Sequence, residues 1–247
     1  MIAAVIQARM GSTRLPKKVL KTIGDTTLLE LQINRVQKSK NIITIIVATS
    51  TEVNDDEIEE FCLKKGINFY RGSENNVLSR YYECAKHYNI KTIVRLTADC
   101  PLIDPAIIDK VIDAFVQEGA DYSSNTVPPE TSCWPDGSDV EVFSFQALER
   151  AHKESTKNED REHVTFYFWK DKLNGFKTTQ LSNSENWSKY RFTVDYEEDY
   201  KVIELIYKEI RARNIYGHVH EIINILNERP DIKEINKEYY FGIGWNK

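Results

Sequence analysis

Ile2-Ala3-Ala4-Val5-Ile6-Gln7-Ala8-Arg9-Met10-Gly11-Ser12-Thr13-Arg14-Leu15-Pro16-Lys17-Lys18-Val19-Leu20 joins an apolar strand to a loop crowded with positive charge. From Met1 to Gly24 the chain carries Arg9, Arg14, Lys17, Lys18 and Lys21 and no acid. Like charges gathered at the end of a buried strand repel one another unless an anion lies among them, so this stretch is expected to grip a polyphosphate. The loop has neither G-x-G-x-x-G nor G-x-x-x-x-G-K-[ST]. Arg and Lys side chains would therefore form the cradle, helped by backbone N–H groups around Gly11 and Ser12. Pro16 fixes one φ of the loop. On charge alone, a solvated basic face explains the same residues equally well.

At 247 residues the chain can bury a sizeable core and is read as a single α/β domain. Its 33 basic and 38 acidic residues give a net charge of −5, so no global field draws nucleic acid and the positive charge that matters is local. No apolar run approaches the roughly 20 residues of a membrane helix. The N-terminus lacks the charged-then-apolar order of a signal peptide. The expectation is a soluble, cytoplasmic protein with neither nucleic acid nor membrane as partner. Cys62, Cys84, Cys100 and Cys133 form no C-x-x-C pair and read as free thiols. His218-Val219-His220 reads as surface histidines, since no carboxylate completes a metal site.

Beyond the loop, Leu28, Leu29, Leu31, Ile33 and Val36 recur at helical spacing, with Thr26 or Thr27 as cap. Ile42 to Val47 is rich in β-branched residues and reads as a buried strand. Strand, loop, helix and strand begin a parallel α/β layer. Asn54 is expected to cap a helix opened by Asp55, Asp56 and Glu57 and closed by Lys64, Lys65 and Gly66, each charge at its favourable end of the dipole. Phe69-Tyr70 reads as a short strand, 75–88 as a helix carrying Arg80, and Ile93-Val94-Arg95-Leu96 as the next strand. Pro105 opens a helix reaching about Glu118. From Ala120 to Ser138, small and polar residues with Pro128, Pro129, Pro135 and Gly137 predict a functional or disordered loop. Val140 to Phe143 reads as a strand, Ser144 as a helix cap, and 159–169 as one aromatic helix. Phe176 to Leu181 and Arg191 to Val194 are predicted strands, followed by a helix from Tyr196 to Arg211. The tail after His218 adds one helix before Pro230, and its Tyr239-Tyr240-Phe241 reads as packing.

Asp99 and Asp195 each close a predicted strand, and carboxyl ends of parallel strands are where open α/β sheets bind ligands. If the strands are parallel, both carboxylates face one crevice and could share a Mg²⁺ ion, which takes oxygen ligands from carboxylates, water and phosphates. Arg9, Arg14 and Lys18 would stand opposite. Cations facing a carboxylate-held metal describe a nucleoside-triphosphate site, able to neutralise charge on an α-phosphate and a departing pyrophosphate. Cys100, beside Asp99, reads as a buried thiol without a chemical role.

Ile6 to Lys18 resembles the I-P-A-R-x-x-S-x-R-L-P-x-K signature of the sugar-acid cytidylyltransferases, the CMP-KDO and CMP-sialic acid synthetase group. Leu96-Thr97-Ala98-Asp99-Cys100-Pro101-Leu102 is similar to their Q-G-D-x-P-L segment, and Thr193-Val194-Asp195-Tyr196-Glu197-Glu198-Asp199 to their V-D-T-P-E-D segment. Gly137 to Phe143 and Arg161 to Thr165 match the G-x-D-V-E-V-F and R-E-H-V-T runs of the branch called spore coat polysaccharide biosynthesis protein F. The matches run in order from residue 2 to about residue 210. Gln7 stands where the family has Pro, Ala98 where it has Gly, and Tyr196-Glu197 where it has Thr-Pro.

The resemblance implies an α/β fold, a mixed, mostly parallel sheet flanked by helices, of the nucleotide-diphospho-sugar transferase (glycosyltransferase-A-like) type. It implies that Arg9, Ser12, Arg14 and Lys18 bind the CTP phosphates, that Asp99 and Asp195 hold Mg²⁺, and that Ala8 and Arg80 lie near the nucleoside. A protruding segment, here about Tyr122 to Trp169, would pair subunits into a homodimer. The implied reaction is in-line attack of a sugar-acid hydroxyl on the α-phosphorus of CTP, with pyrophosphate leaving. Asp139 and Glu141, alternating on one strand, could bind acceptor hydroxyls, and Arg161 an acceptor carboxylate. Fold stabilisation accounts for these three equally well. Water on the metal, Asp195 or His163 could take the proton, and His163 could equally be a packing group at a helix start. Competing readings are a nucleotidyltransferase for a sugar phosphate or polyol phosphate, a glycosyltransferase lacking its usual Asp-x-Asp triplet, and a nucleotide-binding protein without turnover.

Overall fold

The computed structural model describes residues 1–243. Its centre is a seven-stranded mixed sheet. Strands β1 (Ile2–Gln7), β2 (Thr44–Ser50), β3 (Asn68–Gly72) and β4 (Thr92–Thr97) are mutually parallel. With β5 (Tyr122–Ser124), β6 (Glu141–Ser144) and β7 (Thr178–Gln180), the order is β3-β2-β1-β4-β6-β5-β7, and β6 runs against both of its neighbours. The first strand is thus a central one, which places the basic loop at the middle of the sheet's carboxyl edge.

Central strands buried on both faces read as continuous apolar runs. In β1, Ala4 and Ile6 face one core while Ala3 and Val5 face the other. The first core is closed by α1 (Leu28–Val36), α2 (Asp56–Lys65), α4 (Pro105–Glu118), α8 (Glu197–Arg213) and α9 (Val219–Glu228). The second is closed by α3 (Val77–His87), α5 (Phe145–Glu154) and α7 (Phe166–Trp169), with α6 (Asn158–His163) leading into α7. Thr27 caps α1 by accepting from the Glu30 N–H at 3.2 Å, and Ser144 caps α5 from the Ala147 N–H at 3.0 Å, both as expected.

Several expectations need correction. The stretch 120–138 is neither wholly loop nor disordered: it contributes β5 and buries Asn125 and Ser138, whose side chains bond each other. The single aromatic helix is two short ones, broken where Val164 takes φ 60°. The tail adds a second helical segment, α10 (Pro230–Lys233). Arg191 to Val194 is extended but stands outside the seven-stranded sheet: its backbone is paired with the chain around Asp136 and Asp99 rather than with a sheet strand. Phe192 N–H donates to the Asp136 carbonyl and Val194 N–H to that of Asp99, each at 2.8 Å. Gly137 permits this crossing, since a Cβ there would lie 2.6 Å from the Phe192 carbonyl carbon.

Asn54 does not cap α2; it lies in a 3₁₀ turn, Val53–Asp55. Asp55 stands at the N-cap position of α2, but its side chain makes no cap hydrogen bond. Its buried carboxylate reaches back to the basic loop, accepting from Met10 N–H at 2.7 Å, Ser50 N–H at 3.1 Å and the Ser50 hydroxyl. A loop that bears repelling cations is thereby tied to the end of β2. Asp55→Ala would strand buried amide donors, and such losses cost about 1–3 kcal/mol each. Urea unfolding should show a destabilisation of roughly 2–4 kcal/mol; a loss below about 0.5 kcal/mol would refute the tether.

Candidate active site

The loop leaving β1 folds around one carbonyl. Ser12 N–H and Lys17 N–H both donate to Met10 O, at 2.9 and 3.2 Å, and Lys17 takes a left-handed φ of 58°. The Ser12 amide is therefore spent inside the loop, whereas the Gly11 N–H has no partner among the described residues. This turn aims Lys18 inward. Lys18 Nζ lies 3.2 Å from Asp99 Oδ2, 3.1 Å from Asp195 Oδ1 and 2.6 Å from the Val194 carbonyl. Beside it Arg14 Nη2 meets Asp195 Oδ1 at 2.8 Å, and Arg14 Nη1 donates to the Tyr196 hydroxyl at 3.2 Å. The two acids do converge, and one ammonium bridges them.

The loop's charges are matched by the protein's own acids rather than left to repel. Lys17 pairs with Glu57 and Lys21 with Glu197. Arg9 forms no ion pair among the described residues and lines both cavities of the site. Burial lowers the Lys18 ammonium's pKa, but Asp99 and Asp195 outweigh it and the net direction is up. For Asp99 burial raises the carboxyl's pKa, and Lys18 with the Thr97 hydroxyl brings it below the usual range. Charged forms on both partners are the stable ones.

Asp195 is held from behind. Arg191, 9 % exposed, contacts Asp195 Oδ2 at 3.2 Å and pairs with Asp136 and with both oxygens of the fully buried Asp199, at 3.0 and 2.8 Å. Asp199 also accepts from the N–H groups of Asp195 and Tyr196, at 3.0 and 3.1 Å. One buried carboxylate therefore fixes both the turn that carries Asp195 and the cation behind it.

Two cavities meet at Arg9, Arg14, Thr97, Asp99 and Asp195. The smaller, about 170 Å³, is the basic side, with Ser12 and Lys18. The larger, about 280 Å³, continues past Asp139, Glu141, His163, Phe166 and Trp169. Glu141 is committed to the protein: it pairs with Arg95 and accepts from the Tyr122 hydroxyl at 2.6 Å. Arg95 also donates to Gln7 Oε1 at 3.3 Å. Among the described residues Asp139 has neutral donors alone, the Thr126 hydroxyl and Gly137 N–H at 2.8 Å each, with the Cys100 thiol at 3.6 Å. His163 lines this cavity, stacked on Phe166 at 4.3 Å, and burial lowers its pKa.

Not every expected residue joins the site. Arg161 is exposed and outside both cavities, its Nη2 3.5 Å from the Ser155 carbonyl. Ala8 is buried, its N–H donated to Ala48 O at 3.1 Å. Arg80 is buried beside Gly72, donating to the Ser73 and Glu74 carbonyls at 2.9 and 3.0 Å, while its Nη1 has no hydrogen-bond partner among the described residues. Sequence reasoning passed over Arg95, Arg191 and the tail's Phe241, all cavity-lining. A charge inside the run Ile93-Val94-Arg95-Leu96 was a signal for the first; nothing local marked the tail.

The donor set suits a hard cation. Asp99 and Asp195 offer oxygen from a common point where one ammonium already balances them, and Mg²⁺ characteristically takes one or two carboxylates together with phosphates. Among the described residues no group of three or more His, Cys, Asp or Glu could hold a metal unaided. Any metal here would depend on its nucleotide.

Burial lifts the Asp139 carboxyl to about 6, against the opposing Gly137 and Thr126 hydrogen bonds. A carboxyl whose folded pKa is raised binds more protons folded than unfolded, so its ionisation costs stability as pH rises from about 4 to about 6. Wild type should gain on the order of 1 kcal/mol relative to Asp139→Asn between pH 7 and pH 4.5, after discounting for the group's partial exposure. Denaturant titrations at the two pH values check this, and a pH-independent difference would contradict it.

Residues 3–222 match the family model described as cytidylyltransferase. An uncharacterised protein of Methanocaldococcus jannaschii is 38% identical over 237 residues, 95% of this chain and 94% of its own length. Spore coat polysaccharide biosynthesis protein SpsF of Bacillus subtilis is 34% identical over 239 residues, 93% and 95% of the two chains. A solved cytidylyltransferase structure from Leptospira borgpetersenii superposes with a TM-score of 0.87 at 35% identity, covering 97% of this chain and 98% of that one.

Proposed function

We propose, from the premise that this chain belongs to the cytidylyltransferase family, that it is a Mg²⁺-dependent enzyme joining CTP to a sugar acid, forming a CMP-sugar and pyrophosphate. The observation carrying this reading is Lys18 Nζ suspended between Asp99 and Asp195 with Arg14 alongside. Those cations line the smaller cavity with Arg9 and Ser12, where a triphosphate would find side-chain donors. When bound, Mg²⁺ would supply charge neutralisation at the α- and β-phosphates, with Asp99 and Asp195 as its protein ligands.

The acceptor occupies the larger cavity, where Asp139 accepts from its hydroxyls. Its own attacking hydroxyl loses a proton to His163 or Asp139. Burial disfavours the His163 cation and leaves its neutral imidazole able to take the proton, whereas Asp195 is already engaged by Arg14, Lys18 and Arg191. Arg14 and Lys18 then meet the charge that builds on the departing pyrophosphate. The protein works as a cytoplasmic homodimer in surface-polysaccharide biosynthesis, pairing through the segment from about Tyr122 to Trp169. Sedimentation at micromolar concentration should give the mass of two chains. Among the described residues no helix is long and apolar enough to cross a membrane.

A pyrophosphate-release screen of CTP with Mg²⁺ against 2-keto-3-deoxy sugar acids and sugar phosphates tests the reaction. Asp99→Asn should lower kcat by about a thousandfold or more while CTP still binds; unchanged turnover would end the role given to Asp99. In thermal shift with Mg²⁺, CTP should raise Tm more than UTP, GTP or ATP. A preference for another base would move the protein to a different nucleotide donor.

A further inference from the structure

The last described stretch lies beyond the span matching the family model, yet it runs into the substrate site. Asn236, 4 % exposed, donates from Nδ2 to Asp199 Oδ1 at 2.8 Å, within the buried Arg191 cluster. Three residues on, the Tyr239 ring lies flat on Tyr196, with centroids 3.9 Å apart and planes 2° from parallel. Its hydroxyl donates to Glu198 at 3.2 Å. Tyr196 is the residue that accepts from Arg14, whose guanidinium lies 4.9 Å from the same ring's centroid. Phe241, Gly242 and Ile243 then line the larger cavity together with Phe166 and Trp169.

Ordering such a segment costs about 1–2 kcal/mol of backbone entropy per residue, and Phe241 recovers part of it by packing against the second core, as the sequence suggested. The chain continues first onto the ring that steadies a triphosphate-side cation and then into the wall of the acceptor cavity. We propose that residues 236–243 are a working part of the substrate site: Tyr239 is a positioning residue that holds Arg14 through Tyr196, and Phe241 to Ile243 shape acceptor selection. This rests on the assignment of Arg14 to the triphosphate and of the larger cavity to the acceptor. A free guanidinium samples many rotamers, whereas one confined between Asp195 and a ring backed by Tyr239 is pre-organised for its anion.

The test uses full-length Tyr239→Leu, Tyr239→Phe and Phe241→Ala. Calorimetry with CTP and Mg²⁺ should show Kd weakened about three- to tenfold in Tyr239→Leu and unchanged in Tyr239→Phe, which keeps the stacked ring. With the acceptor that supports pyrophosphate release in the wild type, Phe241→Ala should raise acceptor KM about tenfold and leave CTP KM within about twofold. Wild-type CTP affinity in Tyr239→Leu overturns the brace, and wild-type acceptor KM in Phe241→Ala overturns the wall. Failure of the wild type itself to bind CTP or release pyrophosphate would instead strike the enzymatic reading.

Discussion

A single ammonium placed between two carboxylates constrains everything around it. Lys18 Nζ lies 3.1–3.2 Å from Asp195 and Asp99, and removing any one partner would leave a poorly solvated charge behind. The three residues come from the loop after β1, the end of β4 and the extended segment before α8, so these pieces must converge on one point. The central position of β1 makes that possible. Asp55 holds the loop to β2, while Asp199 and Arg191 hold the Asp195 turn from below. A buried charge cluster is a poor way to gain stability, because desolvation consumes much of its Coulombic return. Its presence at the carboxyl edge of a parallel sheet is better understood as the construction of a charged site.

Much of this was legible in the sequence because it is local. Apolar runs marked the central strands, and a carboxylate at a strand's end needs only the strand to be recognised, which is how Asp99 stood out. Asp195 was legible for a partly mistaken reason: its segment is extended but is no sheet strand, and it reaches the site through backbone bonds to Asp136 and Asp99. The mixed sheet was implied by the family resemblance that the ordered motifs carry, since the residues alone indicated a parallel α/β layer. What escaped notice depends on distant partners. Asp55 has the pattern of a helix start, and only the fold shows its carboxylate on the Met10 amide. Glu141 looked available to a ligand until Arg95 and Tyr122 were found around it. The aromatic tail has the composition of packing, and its place over Tyr196 carries no sequence pattern.

The two sides of the site are charged differently. On the basic side Arg14 and Lys18 already lean on Asp195 and Asp99, and Arg9 is the cation without an ion pair among the described residues. On the other side Arg95 and Arg191 are engaged by Glu141 and by Asp136, Asp195 and Asp199, leaving Asp139 with hydroxyl, amide and thiol neighbours. A ligand entering there would meet a carboxylate that has no counter-ion among the described residues, which favours groups able to donate hydrogen bonds over further negative charge. If the acceptor is a sugar acid, its carboxylate belongs near Arg9, at the junction of the cavities, and its hydroxyl-bearing end near Asp139.

Internal pairing also dictates how a triphosphate would be received. Phosphate oxygens can recruit Arg14 and Lys18 only by drawing them partly away from Asp195 and Asp99, and carboxylates deprived of those cations repel one another. Binding a bare nucleotide therefore gains cation–phosphate contacts and loses cation–carboxylate contacts of similar strength. A divalent cation held by the Asp99 and Asp195 oxygens would offset that loss by supplying positive charge in place of the displaced ammonium. The Lys18 bridge would then make metal and triphosphate binding mutually dependent.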